Sequence, residues 1–288
     1  MNARVASGTQ SLERMGAILR AVAAGGALGM RLSEIADATG LNAATAHRML
    51  GVLTLCDIVE HDESRLYFPG PAMLRFGEAA EERYRISRIG RGPIRQLCEF
   101  TQDIAYVLVR RNADAICVLR EAGGHQTRSL AFSVGIRDPL GGGTGSIPLL
   151  AYLGDAEIER ILDANAHLLD LEPGFSRAAL RRHVADVRTN GHLATEGRLS
   201  PGLCVFAFPI AHGSNPAVAA LSVFVQAPRL DRGFRTAFLS EVRKTVAAIQ
   251  DGLSGEFPGA PPKTFAKPAP ARKAVRLSES PARSHRIG

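Results

Sequence analysis

Tryptophan is absent from the 288 residues, and tyrosine and cysteine occur only four times each. The cysteines stand at 56, 98, 117 and 204, and no two have C-x-x-C spacing. That spacing is what a structural zinc site or a redox pair needs, so four reduced, mostly buried thiols and no metal are expected. No apolar run reaches the roughly 18 residues of a membrane span. Met1 to Gln10 hold no apolar core of the signal-peptide kind, so a cytoplasmic protein without membrane contact is expected. Lysine is missing from residues 1–84, where eight arginines meet ten acids. The net charge of +7 therefore arises elsewhere: Ala260 to Gly288 carry seven Lys or Arg against one Glu. A basic chain is no argument for nucleic-acid binding when its basicity sits in one tail. Enzyme motifs are missing as well. No Lys follows the last Gly of G-G-G-T-G, so there is no P-loop, and G-x-S-x-G does not occur. Ser146, His192 and Glu196 could be assembled on paper into a hydrolase, but no motif supports the set. No catalytic residue and no cofactor are assigned.

What is present divides the chain into four. Hydrophobic residues make up 45%, enough for two modest cores. F-P-G-P at 68–71 punctuates the end of a first segment, 1–70. A charged helical stretch, 71–92, reads as a linker. A mixed segment, 93–255, holds apolar strands at Ile104–Arg110, Ala115–Arg120, Ser129–Val134, Leu203–Ile210 and Val218–Val225. Its helices are expected near 93–101, 144–153, 155–165, 176–189 and 233–252. This is an α+β pattern with a mostly consecutive, antiparallel sheet. The remainder, 256–288, is rich in Pro, Ala, Lys and Arg and is expected to be disordered.

In the first segment, apolar residues at 12, 15, 18, 19 and 22 have the spacing of one buried helix face. Ser33 is expected to cap a short second helix, Glu34 to Thr39, with Gly40 just past its end where φ > 0 is often required. Asn42 is expected to cap a third helix, Ala43 to Leu55. There Ala46, Met49, Leu50 and Leu53 form the buried stripe. Ala43, Ala44, Thr45, His47, Arg48 and Gly51 lie opposite. Small residues let a helix approach a groove floor, and the polar ones can bond bases or phosphates. A hairpin follows: 57–61 out, Asp62-Glu63-Ser64 turning, 65–68 back. Two helices, a tight turn, a third helix and a hairpin make a winged helix-turn-helix. A three-helix domain used for protein contacts has the same elements, and His47 or Arg48 alone could be an ordinary surface residue.

These stretches resemble the IclR family of bacterial regulators: S-L-E-R-M-G-A-I-L-R-A-V (11–22), L-S-E-I-A-D-A-T-G-L-N-A-A-T-A-H-R-M-L (32–50) and Y-F-P-G-P-A-M-L-R-F-G (67–77). The later S-V-G-I-R-D-P-L (133–140), N-G-H-L-A-T (190–195) and P-G-L-C-V-F-A-F-P-I (201–210) fall in the family's order. The resemblance implies a DNA-binding transcriptional regulator, a homodimer or tetramer on a palindromic operator, with a C-terminal GAF-like effector-binding domain of an antiparallel sheet flanked by helices. It places candidate DNA contacts at Ser33, Asn42, Ala44, Thr45, His47, Arg48, Arg65 and Tyr67. The family often has a hydroxyl residue where Ala44 stands, so the operator sequence should differ.

Within 139–151, the Gly-rich loop leading to Thr144–Ser146 offers backbone N–H groups that favour an anion, or it is merely a tight turn. The resemblance makes it one wall of a pocket for a small organic effector, commonly an acid. The family often has Gly-Lys at Ser146 and Ile147, and Cys or Ser at Val205. Candidate effector residues are Gly143, Thr144, Gly145, Ser146, Arg198, Val205 and Phe206. Val205 beside Phe206 suggests an apolar pocket with Cys204 turned away. Arg198 could pair with a ligand carboxylate or lie in water. A sensing module without DNA binding is the competing reading, motivated by the slightly acidic first segment.

Overall fold

The computed structural model describes residues 9–124, 133–170, 176–197 and 200–254. The strand expected over 129–134 falls largely outside them, as do Arg198 and the basic tail.

The N-terminal part is three helices and a small sheet. Helix α1 spans Thr9–Gly25, α2 Leu32–Thr39 and α3 Ala43–Leu55. Strands β1 (Met30–Arg31), β2 (Val59–His61) and β3 (Leu66–Pro69) pair antiparallel in the order β1-β3-β2. Ile18, Val22, Ile35, Leu50, Leu53 and Val59 close the core. Each comes from the periodic apolar positions of its element, so burial rather than propensity holds these short helices. Helix α2 starts earlier than Ser33 predicts. Arg31 is its N-cap, and the Arg31 backbone N–H donates to Glu34 Oε2 at 2.7 Å. Ser33 is instead an exposed residue of the first turn.

Helix α4 (Ala72–Arg83) follows, then Tyr84 breaks the axis at φ −102°, ψ 54°, and α5 (Arg85–Thr101) begins. The sequence places a helix near 93–101, after a helical linker over 71–92. That helix starts eight residues earlier and runs through Pro93. The apolar face of α5 explains this: Ile86, Ile94, Leu97 and Cys98 are buried against a sheet, and that burial outweighs a proline penalty of about 3 kcal/mol.

That sheet has six antiparallel strands in the order β6-β5-β4-β9-β8-β7. They are β4 (Ile104–Arg111), β5 (Asp114–Ala122), β6 (Arg137–Pro139), β7 (Leu193–Glu196), β8 (Leu203–His212) and β9 (Asn215–Gln226). Helices α5 and α9 (Arg232–Ser254) cover one face; α6 (Ile147–Ala151), α7 (Asp155–Leu169) and α8 (Arg177–Asn190) cover the other. Side chains alternate between faces. Cys204, Phe206, Phe208 and Val223 join the α5/α9 core, while Ala220 and, across the next strands, Tyr106 and Leu108 join the α6/α7/α8 core. A bulge between Val107 and Leu108 lets consecutive Val118 and Leu119 both face α5. Among the described residues no helix is long and apolar enough to cross a membrane.

Candidate functional site

Two surfaces carry candidate chemistry. The first is α3. Gly40 adopts φ 65°, ψ 23°, the left-handed conformation in which a Cβ is penalised, and closes α2. Two residues on, Asn42 Oδ1 accepts the Thr45 backbone N–H at 2.8 Å, capping α3. Ala46, Leu50 and Leu53 are buried, whereas Ala43, Ala44, His47, Arg48 and Gly51 are exposed and Thr45 is half-buried. The hairpin of β2 and β3 stands beside it, with Asp62 accepting the Leu66 N–H on its carboxylate at 2.9 Å. Arg65 sits exposed at the tip with φ 59°. Glu60, Asp62 and Glu63 are exposed there too, so this wing is acidic. Tyr67 does not face outward as expected. It is only 9% exposed and packs into the N-terminal core, because β3 turns this residue inward between β1 and β2.

The second surface is the α6 face of the large sheet. Thr144–Ser146 form a 3-10 turn leading into α6. Thr144 Oγ1 and Thr195 Oγ1 share a hydrogen bond of 2.8 Å, which ties the turn to β7. Gly145 lies so close to the sheet that a Cβ would fall 2.9 Å from Ser222 Oγ and 3.0 Å from Leu108. Ser146 is committed to the loop itself: its hydroxyl accepts the Gly141 N–H at 3.1 Å and donates to the Gly143 carbonyl at 2.9 Å. Gly143 is half-buried beside it, 3.0 Å from Asp138 to its own Cβ position.

Val205 pairs with Thr195 across β7 and β8 and shares its face. Phe206 is the correction. Strand alternation turns it to the opposite side, where its ring meets Phe238 of α9 at 4.8 Å, edge to face. Cys204 lies in that same core, turned away from Val205. Burial pushes the Cys98 and Cys117 thiols up to about 12, so neither is a nucleophile near neutrality. The Ser146, His192, Glu196 set is not assembled. His192 stacks on Phe208 at 5.0 Å, and Glu196 pairs with Cys204, both on the α5/α9 side, while Ser146 is on the other.

Sequence reasoning missed three residues of this face. Tyr106 of β4 lies next to Ser222 in the ladder. Its ring meets Phe224 edge-on at 5.1 Å, and the Arg120 guanidinium lies 6.0 Å from its centroid. Burial raises the Tyr106 phenol, opposed by Arg120. Ser222 is 1% exposed, and its hydroxyl makes no hydrogen bond among the described residues. The available signal was a lone polar residue inside A-A-L-S-V-F-V (219–225). Among the described residues no cluster of His, Cys, Asp and Glu could hold a metal.

Residues 11–63 match the IclR helix-turn-helix domain, and residues 79–251 match the C-terminal domain of bacterial transcriptional regulators of the IclR type. The chain belongs to the IclR family. Among curated relatives of this IclR-family regulator is the HTH-type transcriptional regulator BhcR of Paracoccus denitrificans, 25% identical over 260 residues, covering 88% of this chain and 91% of BhcR. The fold is shared with the Thermotoga maritima IclR crystal structure, at TM-score 0.67 and 16% identity, covering 85% of this chain and 99% of that one. It is shared equally with an IclR homolog of Microbacterium hydrocarbonoxydans solved with 4-hydroxybenzoate, at TM-score 0.66 and 20% identity, covering 84% and 98%. An IclR-type DNA-binding transcriptional regulator is thus the identity that sequence and fold share.

Proposed function

We propose that this regulator inserts α3 into the major groove of a palindromic operator as a homodimer or tetramer, and that a small organic acid on the α6 face sets its DNA affinity. One observation carries the DNA half: the side of α3 bearing Ala43, Ala44, His47 and Arg48 is open while the opposite side closes the core. Asn42, Thr45, Ser33 and Arg65 are the further contacts of this reading, and Tyr67, part of the core, is not one of them. Self-association is supported by Leu74 and Phe76, which α4 leaves 72% and 61% exposed. Such an assembly doubles the contacts on a two-fold site.

The effector half is supported by Ser222. A buried hydroxyl without a partner costs about 1–3 kcal/mol, which a ligand oxygen would relieve. Thr144, Gly145, Thr195 and Val205 surround the same face, and Arg120 reaches its rim. Gly143 and Ser146 shape the loop, and Arg198 lies outside the described residues. The relative solved with 4-hydroxybenzoate makes an aromatic acid a sensible first probe. Neither a catalytic step nor a cofactor is part of this reading, and the protein acts in the cytoplasm.

Footprinting of the gene's upstream region with the full chain tests the DNA half. A protected two-fold site is expected; no protection at low salt would leave the sensing-module reading. A thermal-shift screen of small organic acids, 4-hydroxybenzoate included, tests the effector half, since a ligand of the folded state raises the melting temperature.

A further inference from the structure

We infer that the last residues of β5 transmit the state of the effector face to the DNA-reading helix, through a chain of charges centred on Arg91. The inference rests on the regulator reading above and deepens it by naming the route of regulation.

Adjacent residues of a strand point to opposite faces, and β5 uses this at its end. Arg120 pairs with Tyr106 in the ladder and holds its guanidinium by that ring, on the effector face. Glu121 pairs with Ala105, a residue of the α5/α9 core, and so projects toward α5. There Arg91 Nη1 lies 3.7 Å from Glu121 Oε1, and Arg95 Nε lies 3.8 Å from Oε2. The other arm of Arg91 reaches α4: Nη2 donates to Glu81 Oε1 at 2.6 Å. One guanidinium thus joins the sheet to the linker helix.

The far end of α4 is joined to the DNA unit by backbone bonds. The Ala72 N–H donates to the Asp57 carbonyl at 3.0 Å, and the Gly70 N–H to the Ile58 carbonyl at 2.9 Å. Asp57 directly follows Cys56, the C-cap of α3. The route therefore runs Tyr106, Arg120, Glu121, Arg91, Glu81, α4, Asp57, α3, each link a contact or a rigid helix.

Two features make it adjustable rather than merely structural. Two carboxylates share Arg91, with 2.6 Å to one and 3.7 Å to the other, so a small displacement of Glu121 alters how firmly Arg91 holds Glu81. The helices α4 and α5 meet at the non-helical Tyr84, a break at which α4 can pivot. A ligand that shifts the β5 backbone at Arg120 moves its neighbour Glu121 with it.

Double electron–electron resonance on the full chain tests this. Cys56 is the exposed cysteine, the other three being buried, and takes one nitroxide. Arg160→Cys, exposed on α7, takes the second, with excess unlabelled protein so that distances within one protomer are read. Glu121→Gln should shift or broaden the distance distribution, and should do nothing further in an Arg91→Gln background. Arg91→Lys replaces Arg91→Gln if the latter fails to fold; its single ammonium cannot serve both carboxylates as the fork does. The inference is overturned if Glu121→Gln leaves the distribution unchanged, or alters it equally with and without Arg91. On any upstream DNA the wild type protects, Glu121→Gln should change affinity by about two- to fivefold, the scale of exposed ion pairs. If the wild type protects none, the regulator reading fails while the distances still judge the charge chain.

Discussion

The hydroxyls of Thr144 and Thr195 meet at 2.8 Å, fastening the Gly-rich turn to the edge strand β7. Thr144 is 5% exposed, so its oxygen has little water to turn to if the bond is lost. Thr195→Val should therefore destabilise the protein by about 1–3 kcal/mol, the cost of stranding a buried polar group. Thr144→Val with Thr195→Val together should cost less than the sum of the singles. Urea unfolding of the three variants measures this, and strict additivity would mean the two hydroxyls do not depend on one another.

Gly145 is required by space, not by φ. Its Cβ would meet Ser222 Oγ at 2.9 Å and Ser222 Cβ at 3.1 Å. Gly145→Ala should lower stability by about 1–3 kcal/mol through overpacking. Adding Ser222→Gly should recover part of the loss, because two of the three obstructing atoms are then gone and only the Leu108 methyl at 3.0 Å remains. A melting temperature that stays low in the double variant would put the clash elsewhere.

Asn42 and Arg48 should separate folding from binding. Asn42→Ala removes the cap on Thr45 and should cost about 1 kcal/mol in thermal unfolding. Arg48 is exposed, and Arg48→Ala should leave the melting temperature unchanged. It should weaken operator binding by about 1–3 kcal/mol if the guanidinium reads a base edge. Titration of the footprinted duplex with both variants checks the contrast; an undiminished affinity for Arg48→Ala removes it from the interface.

Alkali should expose the buried thiols. Cys98 and Cys117 have pKa values raised by burial from 9.0 to about 12. Above pH 9 the unfolded chain loses these protons while the folded one keeps them. Stability is therefore full below pH 9 and falls as pH rises toward 12. Melting curves between pH 8.5 and 10.5 should show this decline, and a flatter one for Cys98→Ala with Cys117→Ala.

The DNA-reading unit was legible because its signals are local. Gly40, the Asn42 cap and the stripe Ala46, Leu50, Leu53 lie within a few turns of one another, so spacing alone sets which side of α3 is open. The large sheet was legible as strands but not as faces. Placing Val205 and Phe206 in one pocket ignored the alternation that sends Phe206 to Phe238. Tyr106 and Ser222 are 116 positions apart, and nothing local announces that β4 and β9 are neighbours.

The amino-acid sequence by itself determined the type of protein and which side of its third helix stays open, since caps, turns and helical periodicity act over a handful of residues. Tertiary structure alone decided that Tyr67 turns inward, that α5 runs through Pro93, and that Ser222 lies under Gly145. Those outcomes depend on which strand or helix packs where. Burial against distant partners settles that, and it can override both a proline and a promising aromatic.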